Sequence, residues 1–398
     1  MEFAPFYIAS LPRIAFGSGS LVQLPAYAGE FGNKILIVTG ASSFVSSHHW
    51  TSLTAQLREK KIHFHHVAVQ GEPSPTLIDE IVQAWHGQAI DAVIGIGGGS
   101  VLDAAKAIAA LLPLGHSVLE YLEDVGRGLS YPGPSLPFIA VPTTAGTGSE
   151  ATKNAVLSEQ GTNGYKKSFR HEKMVAKIAI VDPDLLEACP SHLIAAQGMD
   201  AFTQLLESYV SLRANPFTDA LAWSGLEAVA GGFMAAWRGG ESKEARHGRA
   251  AMAYGALLSG ITLAQVGLGS VHGLAQPLGS LFAISHGVAC GTMVATATAM
   301  NITALRERQP GSQALAKYAR VGQLLSSNQA LPDDEAADRL VVILEQWTEE
   351  LALPRLGRYG ISAADIPAIV AASRNNSMKS NPVLLHDDEI AELVRRRI

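Results

Sequence analysis

The chain has 398 residues, 30 Lys and Arg against 36 Asp and Glu, and a net charge of −6, so it is long enough for two or three domains and carries no excess of positive charge. With 47% hydrophobic and 17% charged residues, it reads as an ordinary folded protein, and neither nucleic acid nor an anionic membrane is expected as its main partner. Two cysteines, Cys189 and Cys290, are too few for a disulfide framework, which points to a reducing compartment and a cytoplasmic protein. The N-terminal residues lack a basic segment followed by an apolar one, so no signal peptide is expected. The best apolar run, residues 107–114, falls short of the roughly 20 residues needed to span a bilayer.

In chain order, residues 6–16 read as extended chain ending in a turn at residues 17–20. Residues 34–39, 63–69 and 91–96 are short β-branched runs of the kind that form buried parallel strands, and residues 47–61 and 76–85 between them have helical spacing. Strands alternating with helices predict a doubly wound, mostly parallel sheet. The third strand runs into Gly97, Gly98, Gly99 and Ser100 and then a helix over residues 101–112. A glycine turn at a helix N-terminus suits a phosphate, because bare N–H groups and the helix dipole face the anion. The spacing is not G-x-G-x-x-G, and a plain tight turn fits these glycines equally well. Residues 138–141 form a further strand that opens into the hydroxyl-rich loop PTTAGTGSE, residues 142–150. Residues 178–184 carry the last strand, and the boundary is placed there, with an α/β domain over residues 1–183 and a second domain over residues 184–398.

Beyond that boundary, residues 194–210, 219–236, 245–263, 287–304, 311–325 and 333–350 repeat apolar residues at helical spacing, which predicts an all-α domain. Asp200 and Gln204 share one helix face at i, i+4. His272 and His286 lie fourteen positions apart with Pro277 between them, and a helix is expected to break at that proline, bending the chain so that both imidazoles meet. One carboxylate, one amide oxygen and two imidazoles then make a divalent-metal site with room for a substrate oxygen. Taken alone, a pair of histidines is more often a structural, hydrogen-bonded pair.

The wider pattern resembles the iron-containing (group III) alcohol dehydrogenases. GMDA at Asp200, VHG at His272 and SHG at His286 resemble that family's metal blocks. GGGSVLDAAK, residues 97–106, resembles its pyrophosphate motif, and PTTAGTGSE is the most specific match. The resemblance spans essentially the whole chain. It implies a Rossmann-like N-terminal domain and a helical C-terminal domain on the fold shared with dehydroquinate synthase. It also implies NAD(P)(H), one divalent metal (Fe or Zn), a small alcohol or carbonyl substrate, and a homodimer or higher homo-oligomer. Asp200, Gln204, His272 and His286 would hold the metal, with Asp200, His272 and His286 acting in catalysis through it. Gly97, Gly98, Gly99, Ser100 and Asp103 would lie at the pyrophosphate, Thr143, Thr144, Thr147 and Ser149 around the adenosine and phosphates, and Asn154 and Lys166 near the nicotinamide ribose.

Where this sequence departs from the family, Gln204 and Gln276 stand at positions that usually carry histidine. The first leaves Asp200, His272 and His286 as the firm ligands, a set resembling the zinc site of glycerol dehydrogenases. The second removes a titratable group. The implied chemistry is a metal acting as Lewis acid on the substrate oxygen while hydride passes between substrate carbon and nicotinamide C4. Cofactor choice turns on Gly40 and Ser42, where the family's NAD-preferring members carry an acidic residue. Glycine there repels no 2′-phosphate, so NADP(H) is expected to serve at least as well as NAD(H). The readings weighed against this one are a metal-free reductase of the maleylacetate reductase type, a lyase of the dehydroquinate synthase type, and a nucleotide-binding protein without turnover.

Overall fold

A computed structural model describes residues 4–159 and 164–398. The β-branched runs pair into one sheet of six parallel strands: β1 (Arg13–Phe16), β2 (Lys34–Gly40), β3 (His63–Val69), β4 (Ala92–Gly97), β5 (Phe138–Pro142) and, after a hairpin, β8 (Ile178–Val181), in the order β1-β8-β5-β4-β2-β3. Alternate side chains of β2 feed two cores. Leu36 and Val38 pack with Val93 and with α3 (Pro75–Trp85) and α4 (Gly99–Leu111) on one face. Ile35 and Ile37 pack with Ile94 and with α1 (Leu24–Gly29) and α2 (His48–Glu59) on the other. This is the doubly wound sheet expected from the alternation of elements. β3 differs from the expectation, since it is an edge strand with His63, His65 and His66 exposed rather than a buried one.

The antiparallel hairpin β6 (Asn154–Glu159) and β7 (Tyr165–Arg170) was not anticipated. Its polar composition hides a period of two. Ala155, Leu157 and Phe169 are buried against the α4 side of the sheet, while Lys166, Lys167 and Ser168 stay at the surface.

The second half of the chain is helical, with α5 (Ser191–Val210), α6 (Pro216–Arg238), α7 (Lys243–Val266), α8 (Ser270–Phe282), α9 (His286–Arg308), α10 (Gln313–Leu325), α11 (Asp333–Glu350), α12 (Ile366–Ala372) and α13 (Asp387–Arg395). α9, with 23 residues, is long and apolar enough to cross a membrane, contrary to the expectation that no run reaches that length. Its apolar side chains serve the core instead, and most of the helix is buried against its neighbours.

Pro277 does not break the chain as expected, for α8 runs through it and the bend falls at Ala283, in the left-handed region at φ 53°. A proline at 277 removes the N–H that would bond the carbonyl of Gly273. Here that carbonyl accepts from Asn375 Nδ2 at 2.9 Å, so the missing donor is replaced from outside the helix. Asn375→Ala is expected to lower stability by about 1–3 kcal/mol by leaving Gly273 O unsatisfied. Thermal denaturation should show a lower Tm that Pro277→Ala, which restores the N–H, partly recovers. Equal Tm values for wild type and Asn375→Ala would refute this account.

Candidate active site

The strand order reverses at β2 and β4, so the C-terminal ends of these strands, Gly40 and Gly97, sit side by side at the mouth of a crevice. α4 starts there, with Gly98 as N-cap and no side-chain cap. Gly98 and Gly99 are packed against the PTTAGTGSE loop, while Gly97 is buried against Val101. A Cβ on Gly99 would lie 2.8 Å from the Thr147 side chain, and one on Gly98 would lie 3.3 Å from that of Thr144. Gly98, Gly99, Ser100, Thr143, Thr144 and Thr147 remain partly accessible beside the uncapped helix end, and Ser42 is exposed in the loop after β2. Bare N–H groups, a helix dipole and an absence of side chains form a cradle for a pyrophosphate.

Two of the expected cofactor contacts turn inward. Ser149 is buried, and its hydroxyl donates to Asp103 Oδ1 at 2.5 Å. Asp103 Oδ2 accepts from the N–H of Val156 at 3.0 Å. Both polar groups are consumed by the scaffold, so they hold the loop's shape rather than face a ligand. Lys106, fully buried, completes this knot by donating to Ser149 O, Thr152 Oγ1 and Asn154 O at 2.9, 3.1 and 2.6 Å. Asn154 therefore contributes its backbone here. Lys166 donates to Glu72 Oε1 at 2.5 Å, and its own carbonyl accepts from Gln276 Nε2 at 3.5 Å, which places it between the sheet domain and α8.

On the helical side, Asp200, His272, His286 and Cys290 bring one donor atom each to within 4.8 Å of one another. Asp200 Oδ1 lies 3.3 Å from His272 Nε2 and 3.5 Å from His286 Nε2, yet it is buried without a hydrogen bond from any of the described residues. The opposite nitrogen of His272, Nδ1, donates to Glu207 Oε2 at 2.7 Å, because a carboxylate can only accept. Burial pushes the His286 imidazole down to about 4, leaving it neutral with a free lone pair. Burial lowers the pKa of His272 too, but Cys290, Asp200 and Glu207 outweigh it and hold it well above the ordinary range. The cluster thus draws positive charge to a point ringed by lone pairs. A divalent cation supplies that charge and gives Asp200 Oδ1 its missing partner, so the donor set fits a metal.

Gln204 behaves differently from the expectation. Its Oε1, the atom expected to ligate, accepts from Ser259 Oγ at 2.6 Å. Ser259 Oγ also faces Ala256 O at 2.8 Å and Gly146 O at 3.5 Å, and of these three acceptors for its single proton Gln204 Oε1 is the nearest. The PTTAGTGSE loop meets the helices by backbone contact. A Cβ on Gly260 would stand 2.1 Å from Gly148 O.

Two family models match the chain, iron-containing alcohol dehydrogenase over residues 12–183 and the C-terminal domain of the same family over residues 194–398. The chain belongs to the iron-containing alcohol dehydrogenase family. Similar proteins include the NAD-dependent methanol dehydrogenase of Bacillus methanolicus, 31% identical over 97% of this chain and 98% of that one. The long-chain-alcohol dehydrogenase 1 of Geobacillus thermodenitrificans is 32% identical over 96% and 95%. A crystal structure of a 1,3-propanediol oxidoreductase superposes with a TM-score of 0.88 at 27% identity, covering 99% and 100% of the two chains. This alcohol dehydrogenase is therefore an oxidoreductase that interconverts an alcohol and its carbonyl compound, with NAD and a metal as the family's equipment.

Glu207, Lys106, Cys290 and Glu72 escaped the sequence reading. Glu207 had a signal, because it lies seven residues after Asp200 on the same face of α5 and is a charge inside an apolar helix. It accepts from the Val271 N–H at 2.7 Å as well as from His272, fixing the start of α8 and the ring together. Glu207→Gln, which keeps the shape and removes the charge, is expected to weaken metal affinity about 10–100-fold with unchanged circular dichroism. Metal retained after dialysis against graded chelator measures this; retention equal to wild type would show that Glu207 does not orient His272 for metal.

Proposed function

We propose that this alcohol dehydrogenase moves a hydride between the carbon of a small alcohol and nicotinamide C4 in the crevice between its two domains. The observation that carries this reading is Asp200 Oδ1, buried, without a hydrogen bond, and facing two imidazole nitrogens. A metal-free reductase has no use for such an arrangement, and a protein that only stores nucleotide needs no second set of convergent donors.

The residue roles follow from position. A divalent ion, when bound, acts as a Lewis acid toward the substrate oxygen. Asp200 supplies negative charge, His286 supplies a neutral nitrogen, His272 would supply a second once an ion takes the place of its Nε2 proton, and Glu207 holds that ring in its orientation. Gly97, Gly98, Gly99, Ser100, Thr143, Thr144 and Thr147 receive the cofactor phosphates and adenosine, and Lys166 lies on the nicotinamide side. Gln276 cannot titrate and so performs no proton relay. The edge strand β1 and the segment before it expose Phe6, Tyr7, Leu11, Ile14 and Phe16, which supports a homodimer formed on that side. Cys189 and Cys290 are both free, which supports a cytoplasmic location.

The purified protein should hold about one divalent metal per chain and oxidise NAD(P)H with a panel of small aldehydes and ketones. His272→Ala should lose metal and turnover together. Full turnover in that variant would refute the metal-dependent reading.

For the cofactor, Gly40 ends β2 at the mouth of the crevice, and a Cβ there meets nothing closer than Val101 at 3.8 Å. A side chain at position 40 is therefore tolerated and can project toward the ribose. NADP(H) should serve at least as well as NAD(H), and Gly40→Asp should shift the ratio of kcat/KM values toward NAD(H) by about tenfold, about 1.4 kcal/mol of charge repulsion. A wild type strongly selective for NAD(H) and indifferent to this substitution would remove the argument.

A further inference from the structure

Cys290 is the fourth member of the buried cluster and has no assigned part in it. It follows His286 by one turn of α9, so both side chains leave the same helix face. Its sulfur lies 3.6 Å from His272 Nε2 and 3.8 Å from His286 Nε2. We propose that Cys290 is the fourth protein ligand of the metal, bound through sulfur, and that Gln204 stands outside the coordination shell. This rests on the metal-site reading above.

Three observations support the assignment. The first is size. A tetrahedral centre with bonds to nitrogen and oxygen of about 2.0–2.1 Å and to sulfur of about 2.3 Å has N···O edges of about 3.3 Å and S···N edges of about 3.6 Å. The corresponding separations here are 3.3 and 3.5 Å, and 3.6 and 3.8 Å. The second is hydrogen-bond accounting. The Cys290 sulfur faces His272 Nε2 and His286 Nε2 at once, and Asp200 Oδ1, beside both rings, receives no hydrogen bond from the described residues. A cation at the centre answers all of these groups at once. The third is the withdrawal of Gln204, whose carbonyl oxygen is held by Ser259 Oγ at 2.6 Å. On metal binding the thiol proton leaves to solvent, and the resulting thiolate takes the ion in its place. One carboxylate, two imidazoles and a thiolate rank zinc above iron(II), because sulfur is the softer donor. With four protein ligands in place, a substrate oxygen would add as a fifth, which zinc permits.

Cobalt(II) substitution tests this in the full-length protein. After chelator treatment the chain is loaded with cobalt, the metal is counted, and the absorption spectrum is recorded. The expected result is about one cobalt per chain and a thiolate-to-cobalt charge-transfer band in the near ultraviolet. The band should vanish in Cys290→Ala and persist in Cys189→Ala and Gln204→Ala. Bound cobalt without the band overturns the role of Cys290 while leaving the metal site standing, and a protein that takes up no cobalt overturns both. Zinc X-ray absorption on the wild type needs no variant to fold: sulfur at about 2.3 Å supports the assignment, and nitrogen and oxygen neighbours alone overturn it.

Discussion

Taking a carboxylate out of water costs several kcal/mol unless a partner meets it. Asp200 is 1% exposed, and one of its oxygens receives no hydrogen bond. Around that oxygen the helical domain is arranged: α5 brings Asp200 and Glu207, α8 brings His272, and α9 brings His286 and Cys290. Each element is held there by interactions that have no other evident purpose. Glu207 pins the first turn of α8, Asn375 carries that helix past Pro277, and the left-handed residue Ala283 turns the chain so that α9 begins at His286.

The nucleotide side follows a different rule, in which side chains are removed rather than added. Gly98 and Gly99 lie against Thr144 and Thr147, so two segments distant in sequence form one wall. Behind that wall the buried ammonium of Lys106 and the carboxylate of Asp103 share Ser149 as a common partner, 3.7 Å apart. The buried pair stiffens a loop that, by composition alone, would be free to move.

What the sequence made legible was local. The glycine turn, the hydroxyl-rich loop and the short blocks around Asp200, His272 and His286 carry residue types that suggest their chemistry. The sheet was legible because its strands are continuous apolar runs, and the β6–β7 hairpin was not, because its apolar residues alternate among lysines and serines. Cys290 and Lys106 carry no message until the fold gives them neighbours. Pro277 misled for a related reason. The rule about proline in a helix concerns the helix's own hydrogen bonds, and Asn375, ninety-eight positions away, supplies the one that is lost. Ser149 and Asp103 lie in the right blocks, yet their polar atoms are already spent on each other.

At Gly148 and Gly260 the two domains touch through main chain alone, with no side chain between them. Such a seam has nothing to compress and no rotamer to change. A Cβ on Gly148 would stand 2.4 Å from Gly260 Cα, and one on Gly260 2.1 Å from Gly148 O, so neither position admits even a methyl group. At the distant rim, where Lys166 and Glu72 on the sheet domain stand beside α8, the contact is made instead by the Gln276 side chain on the Lys166 carbonyl. The separation between the glycine turn at Gly98 and the donor cluster at Asp200 is thereby set by backbone at one edge of the crevice and by an adjustable side chain at the other.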